Sequence, residues 1–318
     1  MDALPLVVVS TAGCSNALVA MSDFWDREVV QRQHCEWMAL APVRQHMNEL
    51  IGGAAEPRWP IDWLESWLRG RTFARALSIG CGTGALERDL VARGLCERVD
   101  AFDASIASLA IAKQAATSAR IRYFAADFNR CALPRNTYDA VFFHQSAHHV
   151  RRLEWLFNQI VGALKPGGIV YLDEYVGPSR FDWNAERIAP QQAFYRALPR
   201  ELRTADALAL PIQQDDPTEA IRSSSIEPAL RIGFDIAARR PYGGTLLSIV
   251  LPQMKSTPDA LPWCIACERA LLAAGVPSFY AVIVARPKRL RLAASMRYAL
   301  ARLRMRLNAE WRRFRARS

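Results

Sequence analysis

The sequence predicts an α/β fold on a doubly wound, mostly parallel sheet of seven strands. From Arg75 onward short apolar runs alternate with helix-length segments. Right-handed crossovers resolve that order into a parallel sheet covered on both faces. Between the first apolar run and the helix after it lies Ala76–Leu90, ALSIGCGTGALERDL, with three glycines at alternate positions. Such a loop lets a ligand approach the backbone, beyond the carboxyl end of the first strand. The chain has 318 residues, 51% of them apolar, enough for one large core with additions at both ends.

Residues 1–70 read as a mainly helical segment rich in tryptophan: Trp25, Trp37, Trp59, Trp63 and Trp67. In RWPIDWLESWLRG, Pro60 suits a first helical turn, Trp63, Leu64, Trp67 and Leu68 recur at helical spacing, and Gly70 stops the helix. That stripe reads as core rather than a ligand cage. Residues 71–286 hold the alternating domain. Ala76–Ile79, Val99–Phe102, Ile121–Ala125, Ala140–Phe143 and Ile169–Leu172 are its expected strands, and Ala85–Ala92, Ile106–Ala116 and Leu153–Leu164 its helices. Residues 177–233 break the pattern with a polar, helical insert carrying six prolines. Following the fifth strand, this insert is placed to act as a lid or substrate wall, and a surface elaboration fits it equally well. Phe234–Ala237 and Phe279–Ala285 supply two more strands, separated by a helix over Pro262–Ala274.

The net charge of +10 is not spread evenly. From Arg286 to the end there are twelve Lys or Arg and one acid, Glu310, which leaves the body close to neutral. Residues 287–318 read as a basic amphipathic helix whose apolar stripe is Leu292, Met296, Leu300, Leu303, Leu307, Trp311 and Phe314. Residues 289–317 therefore suit packing on the domain, peripheral association with an anionic membrane, or RNA. Seven scattered cysteines suggest free thiols in a reducing compartment. Cys264 and Cys267 fall inside a helical run, and no second Cys or His pair completes a zinc site, so no metal is expected. Leu6–Cys14 mimics a lipoprotein signal but lacks a basic leader. No run of about 18 apolar residues exists to span a membrane. A cytoplasmic enzyme is expected, one that sits peripherally at the inner membrane face if the tail binds lipid.

Gly80, Gly82 and Ala85 satisfy G-x-G-x-x-G/A, with Asp103 following at a strand end, which taken alone fits a dinucleotide. Gly84 makes the loop more compact. In this form it resembles the first motif of class I S-adenosylmethionine-dependent methyltransferases, a Rossmann-like family. The ordered series strengthens the resemblance: VDAFDASIASLAIA, FAADFNRCALP, YDAVFFHQSAHHV and LKPGGIVYLDEY. It implies that Gly80, Cys81, Gly82 and Gly84 meet the methionine and ribose portions of S-adenosylmethionine. Asp103, with Ala104 beside it, takes the ribose hydroxyls, Asp127 and Phe128 take the adenine, and His144 lines the methionine end. Ser78 departs from the pattern, standing where many relatives carry an acid. The segments DEYVGPSRFDW, DPTEAIRSSSIEPAL and RRPYGGTLLSIVL resemble a bacterial subgroup associated with polysaccharide and small-molecule biosynthesis.

Methyl transfer asks the protein to align donor and acceptor and to exclude water, and a nucleophile that must lose a proton needs a base. His144, His148 and His149 cluster after the fourth strand. Ser146 is expected to cap the helix that follows, with its dipole lowering the pKa of His148 and His149 and keeping them neutral. Glu174 is a further candidate base. Tyr175, Arg222 and Tyr242 are weaker candidates for substrate contact, with Ser223, Ser224 and Ser225 beside them. The expected function is O-methylation of a small-molecule or saccharide-type acceptor. The alternatives are a nucleic-acid methyltransferase or RNA-binding protein using the tail, and a dinucleotide-dependent oxidoreductase. The body's neutrality weighs against nucleic acid, as does the absence of an Asn/Asp-Pro-Pro-Tyr/Phe signature where the chain reads His144-Gln-Ser-Ala147. The oligomeric state is not legible.

Overall fold

The computed structural model of the chain describes Asp26 and residues 37–255, 258–288, 296, 298–301 and 303. Seven strands form one sheet: β1 (Ala76–Ile79), β2 (Val99–Asp103), β3 (Ile121–Ala125), β4 (Tyr138–His144), β5 (Leu164–Tyr175), β6 (Phe234–Pro241) and β7 (Tyr280–Pro287). Their order is β3-β2-β1-β4-β5-β7-β6. The first five pair in parallel, and β7 enters between β5 and β6 antiparallel to both. Strands β4 and β5 run longer than their apolar runs predict. Their ladder continues through polar partners such as His144 and Asp173, which hydrophobic periodicity does not register.

Alternation along each strand splits the apolar residues between two faces. Ala76, Ala101, Phe142, Tyr171 and Val284 face one cluster, which the N-terminal helices Ala41–Gly52 and Pro60–Leu68 complete with Val43, Met47, Ile51 and Leu64. Leu77, Phe102, Phe143, Leu172 and Ile283 face the other, closed by the helices Leu153–Ala163 and Ile226–Gly233. Trp63 is buried in the first cluster, as the stripe predicts, whereas Trp59 stays half exposed beneath the Arg44 guanidinium. Each fully buried Leu or Phe contributes about 1.5–3 kcal/mol. Both faces of β1 are thereby fixed, and its carboxyl end, where the glycine loop begins, is set at the centre of the sheet.

The insert is less helical than expected. Among its described residues one α-helix, Ala189–Ala197, precedes Ile226–Gly233, with short 3-10 turns at Arg200–Leu202 and Ser223–Ser225. Prolines at 178, 190, 199, 211 and 217 stop helices from propagating. Cys264 and Cys267 lie on the helix Leu261–Ala273 as free thiols, Cys264 packed against the Met254 sulfur.

Of the basic tail, the domain grips Tyr298, which is buried among Phe234, Leu230 and Phe157 and lies over Gly233. Tyr298 is not part of the apolar stripe. Met296, Leu300 and Leu303 of that stripe are exposed. Leu292, Leu307, Trp311 and Phe314 lie outside the described residues, as do Trp25, Cys14, Cys35 and most of residues 1–36. No described helix is long and apolar enough to cross a membrane.

One buried group gives the fold an acid dependence. His46 is 1% exposed, and the Arg269 Nε–H donates to its Nδ1 at 3.2 Å. Burial, and secondarily the Arg269 charge, lowers its pKa from 6.5 to about 4. A depressed histidine pKa stabilises the fold above the unfolded value and loses that contribution as pH falls toward the folded one. Urea unfolding of wild type between pH 7 and pH 4.5 should lose up to about 3 kcal/mol more than His46→Leu loses over the same interval. Parallel pH profiles for the two proteins would remove His46 as the cause.

Candidate active site

The glycine loop turns on backbone conformations that favour glycine. Gly80 and Gly84 have φ of +71° and +76°. A Cβ at Gly80 would lie 2.5 Å from that of Ser146, and one at Gly84 would strike the Tyr123 hydroxyl. At Gly82, with φ of +51°, an added Cβ would meet nothing within 4 Å. The loop is therefore packed tightly at its two ends and open in the middle, where a ligand can reach the backbone. Burial raises the Cys81 thiol pKa, which disfavours the thiolate.

Asp103 closes the loop from the end of β2. Its Oδ2 accepts the Gly82 N–H and its Oδ1 the Ser105 N–H, both at 2.8 Å. The Ala104 N–H bonds the carboxylate as well, which leaves one of its four acceptor positions for another donor. Burial pushes its pKa up, against the N–H groups of Ser105, Gly82 and Ala104. Asp127 holds the turn after β3, accepting the Asn129 N–H at 2.7 Å, while Phe128 is 3% exposed in the core beside it. Asp103, Asp127 and the loop thus line one sheet edge.

At the next strand, the structure corrects the expectation for the histidines. Ala147–His149 is a single 3-10 turn, and the Ser146 hydroxyl donates to the Ile79 carbonyl at 2.6 Å instead of capping it. No helix dipole acts there. His148 is not held neutral: burial disfavours its charge, but the Glu174 and Glu219 carboxylates outweigh burial and raise its pKa well above 6.5. His149 is lowered, by burial first and by the charge of His148 second. Both side chains are about 5% exposed, with rings 4.2 Å apart. His144 stands apart from them, half exposed, with Nδ1 3.0 Å from Asp173.

Glu174 is fully buried. Its Oε2 accepts the N–H groups of Ser146 and Ala147 at 2.9 and 2.6 Å, and its Oε1 accepts the Tyr175 N–H and pairs with His148 Nδ1. All its acceptor capacity is engaged, so Glu174 positions His148 and is not a free base. The insert closes over the same turn: the Ile221 N–H donates to the His148 carbonyl, and Glu219 Oε2 lies 3.6 Å from His148 Nε2.

The weaker candidates divide. Tyr175 is buried, donates to the Pro178 carbonyl, and stands edge-on to His148 with ring centroids 6.3 Å apart. Tyr242 is buried behind the wall, donating to Asp173 at 2.5 Å and accepting from Gln145. Arg222 forks onto Glu154, with a third bond to the Arg151 carbonyl, which braces the insert to the helix Leu153–Ala163. A surface cavity of about 790 Å³ lies elsewhere, lined by Trp63, Trp67, Arg58, Arg240 and Arg286 among others and bordered by none of these site residues.

Residues 77–172 match the family model described as "Methyltransferase domain". This stretch of the chain is a methyltransferase domain. Over 159 residues it is 24% identical to a sterol 24-C-methyltransferase of Gibberella zeae, covering 48% of this chain and 39% of that protein. Over 103 residues it is 31% identical to an uncharacterised methyltransferase of Mycobacterium tuberculosis, covering 32% of this chain and 51% of that protein. The chain thus spans about half or less of the curated relatives it matches. Phosphoethanolamine N-methyltransferase 2 of Haemonchus contortus, solved with S-adenosyl-L-methionine, has a TM-score of 0.47 and 19% identity, covering 87% of this chain and 60% of that one.

The site of this methyltransferase domain suits the donor. The open face at Gly82 and the spare acceptors of Asp103 and Asp127 supply what a nucleoside needs. Ser78 is buried and carries no charge, but Glu87 lies fully buried beside it, with a carboxyl raised by burial and partly opposed by the Ser78 hydroxyl. Glu87, on the helix Ala85–Ala92, thus brings a carboxyl group beside the position where Ser78 has none. Reading the sequence passed over Glu87, although an acid three residues after Gly84 was visible there. Asp216 and Glu219, in the proline-rich insert, carried no local signal at all.

Asp103→Ala should weaken binding of S-adenosylhomocysteine by roughly 1.5–3 kcal/mol, the loss expected of charge-assisted hydrogen bonds. Calorimetry on the folded variant measures this, and unchanged affinity would remove Asp103 from the cofactor site.

Proposed function

We propose that the chain transfers a methyl group from S-adenosylmethionine to an oxygen of a hydroxylated small-molecule or saccharide-type acceptor. The observation that carries this reading is the buried polar wall of His148, His149 and Glu219, supported by Glu174, one strand over from the glycine loop. Gly80, Gly82, Gly84, Asp103 and Asp127 would hold the donor. When bound, it supplies a methyl group on a positively charged sulfur, which an acceptor lone pair displaces while the sulfur keeps the bonding electrons.

The protein's own part is alignment, exclusion of water and management of one proton. An oxygen acceptor loses its proton at the wall, where imidazoles and a carboxylate lie together. Glu174 fixes the orientation of His148, and Tyr175 shields it from one side. A wall of this polarity suits a hydroxylated ligand, which can hydrogen-bond to it, better than a hydrocarbon one, which cannot. The sterol methyltransferase relatives align over about half this chain, and their acceptor is not carried over.

Purified protein supplied with methyl-labelled S-adenosylmethionine and a panel of hydroxylated acceptors tests the reading. His149→Ala should lower kcat by about 10²–10⁴-fold, the usual scale for loss of proton-transfer catalysis, and leave cofactor affinity within a few-fold, since His149 is the imidazole whose pKa burial and the charge of His148 lower. Full activity in His149→Ala would move the proton elsewhere. Binding of NADH without any response to S-adenosylmethionine would end the reading altogether.

A further inference from the structure

We propose that His148 Nε2, His149 Nε2 and a Glu219 carboxylate oxygen form a binding site for one divalent transition-metal ion. Glu219 Oε2 lies 3.6 Å from His148 Nε2 and 3.5 Å from His149 Nε2, and the three ligand atoms all fall within 4.8 Å of one another. Ligands bound at about 2.1 Å in a tetrahedral array are roughly 3.4 Å apart. The two measured separations to Glu219 match that spacing without rearrangement.

Hydrogen bonding aims the imidazoles at this point. The Thr218 hydroxyl donates to Asp216 Oδ1 at 2.6 Å, so its oxygen accepts from His149 Nδ1 at 3.0 Å. Asp216 Oδ2 is 3.4 Å from the same Nδ1. Both contacts place the His149 proton on Nδ1, and Nε2 faces the Glu219 carboxylate at 3.5 Å. Glu174, which accepts three N–H groups besides, likewise holds the proton of His148 on Nδ1. Both Nε2 atoms therefore face the Glu219 carboxylate. A metal ion bound there takes the place of any proton between His148 Nε2 and Glu219 and bonds both nitrogens and the carboxylate. Ligating histidines characteristically donate the other ring N–H to a carboxylate or similar acceptor.

Charge points the same way. The carboxylates of Glu174 and Asp216 are fully buried and that of Glu219 is two-thirds buried. Arg180, whose charge also favours the Glu219 carboxylate, donates to the carbonyls of Asp216 and Gln213 and not to the carboxylates themselves. A divalent ion offsets this local negative excess. Two imidazoles and one carboxylate suit zinc, cobalt, manganese or iron better than the all-oxygen sites of calcium or magnesium. Glu219 is the exposed member of the set, so the remaining coordination positions open on its side. That the acceptor oxygen takes such a position rests on the methyl-transfer reading; the ion site itself does not.

Full-length protein, stripped with chelator and dialysed, should bind one Co²⁺ or Zn²⁺ per chain in calorimetry, and Co²⁺ should develop visible ligand-field absorption. Glu219→Ala and Glu219→Gln should each weaken binding at least 100-fold, and His149→Ala should abolish the cobalt spectrum. Melting curves and S-adenosylhomocysteine affinity, measured on the same samples, confirm that each variant is folded. No stoichiometric binding by wild type, or equal binding by wild type and both folded Glu219 variants, overturns the site. Cofactor binding without metal would defeat this proposal alone, and metal binding without cofactor response would defeat the methyl-transfer reading alone.

Discussion

The arrangement of the site depends on the carboxylate of Glu174. A buried carboxylate is costly unless every acceptor position finds a donor. Here the donors are the N–H groups of Ser146, Ala147 and Tyr175 and the ring of His148. Satisfying that one group fixes the turn after β4 onto the end of β5. Ser146, held by this anchor, in turn donates to the Ile79 carbonyl and occupies the space that glycine leaves at position 80. The glycine loop and the histidine turn are thus two sides of one bracket, and a shift in either displaces the other.

The two halves of the site are made of different materials. Backbone N–H groups, glycine conformations and two acids at strand ends build the donor half, all within residues 78–129. The acceptor half is built from side chains that meet across the sheet edge, from His148 and His149 to Thr218 and Glu219 in the insert. Backbone recognition is indifferent to most substitutions, so one donor loop can serve many reactions. Side-chain recognition changes with each residue, and the choice of acceptor resides there.

The same division decides what the sequence discloses. Strands β1 and β3 and the helix Ala85–Ala92 have the limits their apolar runs predict, because burial on a parallel sheet imprints a local pattern. The loop glycines and Asp103 are legible for a similar reason: a turn and a strand end are short-range events. The protonation of His148 is not legible, since it follows from Glu174 and Glu219, 26 and 71 positions away in the chain. Nor is the role of Arg222, because a guanidinium that forks onto Glu154 looks in sequence like one waiting for a substrate. Tyr298 escaped notice because a single buried aromatic produces no periodicity.

The insert shows how an irregular, proline-broken segment can still be held in place. Trp183, Ile188, Tyr195 and Leu198 bury it against the first core cluster, and polar contacts fix it over the site: Arg180 on two carbonyls, Arg222 on Glu154, the Thr218 hydroxyl on Asp216, and the Ile221 N–H on the His148 carbonyl. A typical hydrogen bond adds only about 1 kcal/mol net, but an orphaned buried partner costs more than the bond itself contributed. These contacts converge on the turn that Glu174 anchors, so they form one network in which the loss of any member strands the others. Energies in such a network do not add. The position of Glu219 against the two histidines is consequently a property of the whole insert, and no short stretch of its sequence contains it.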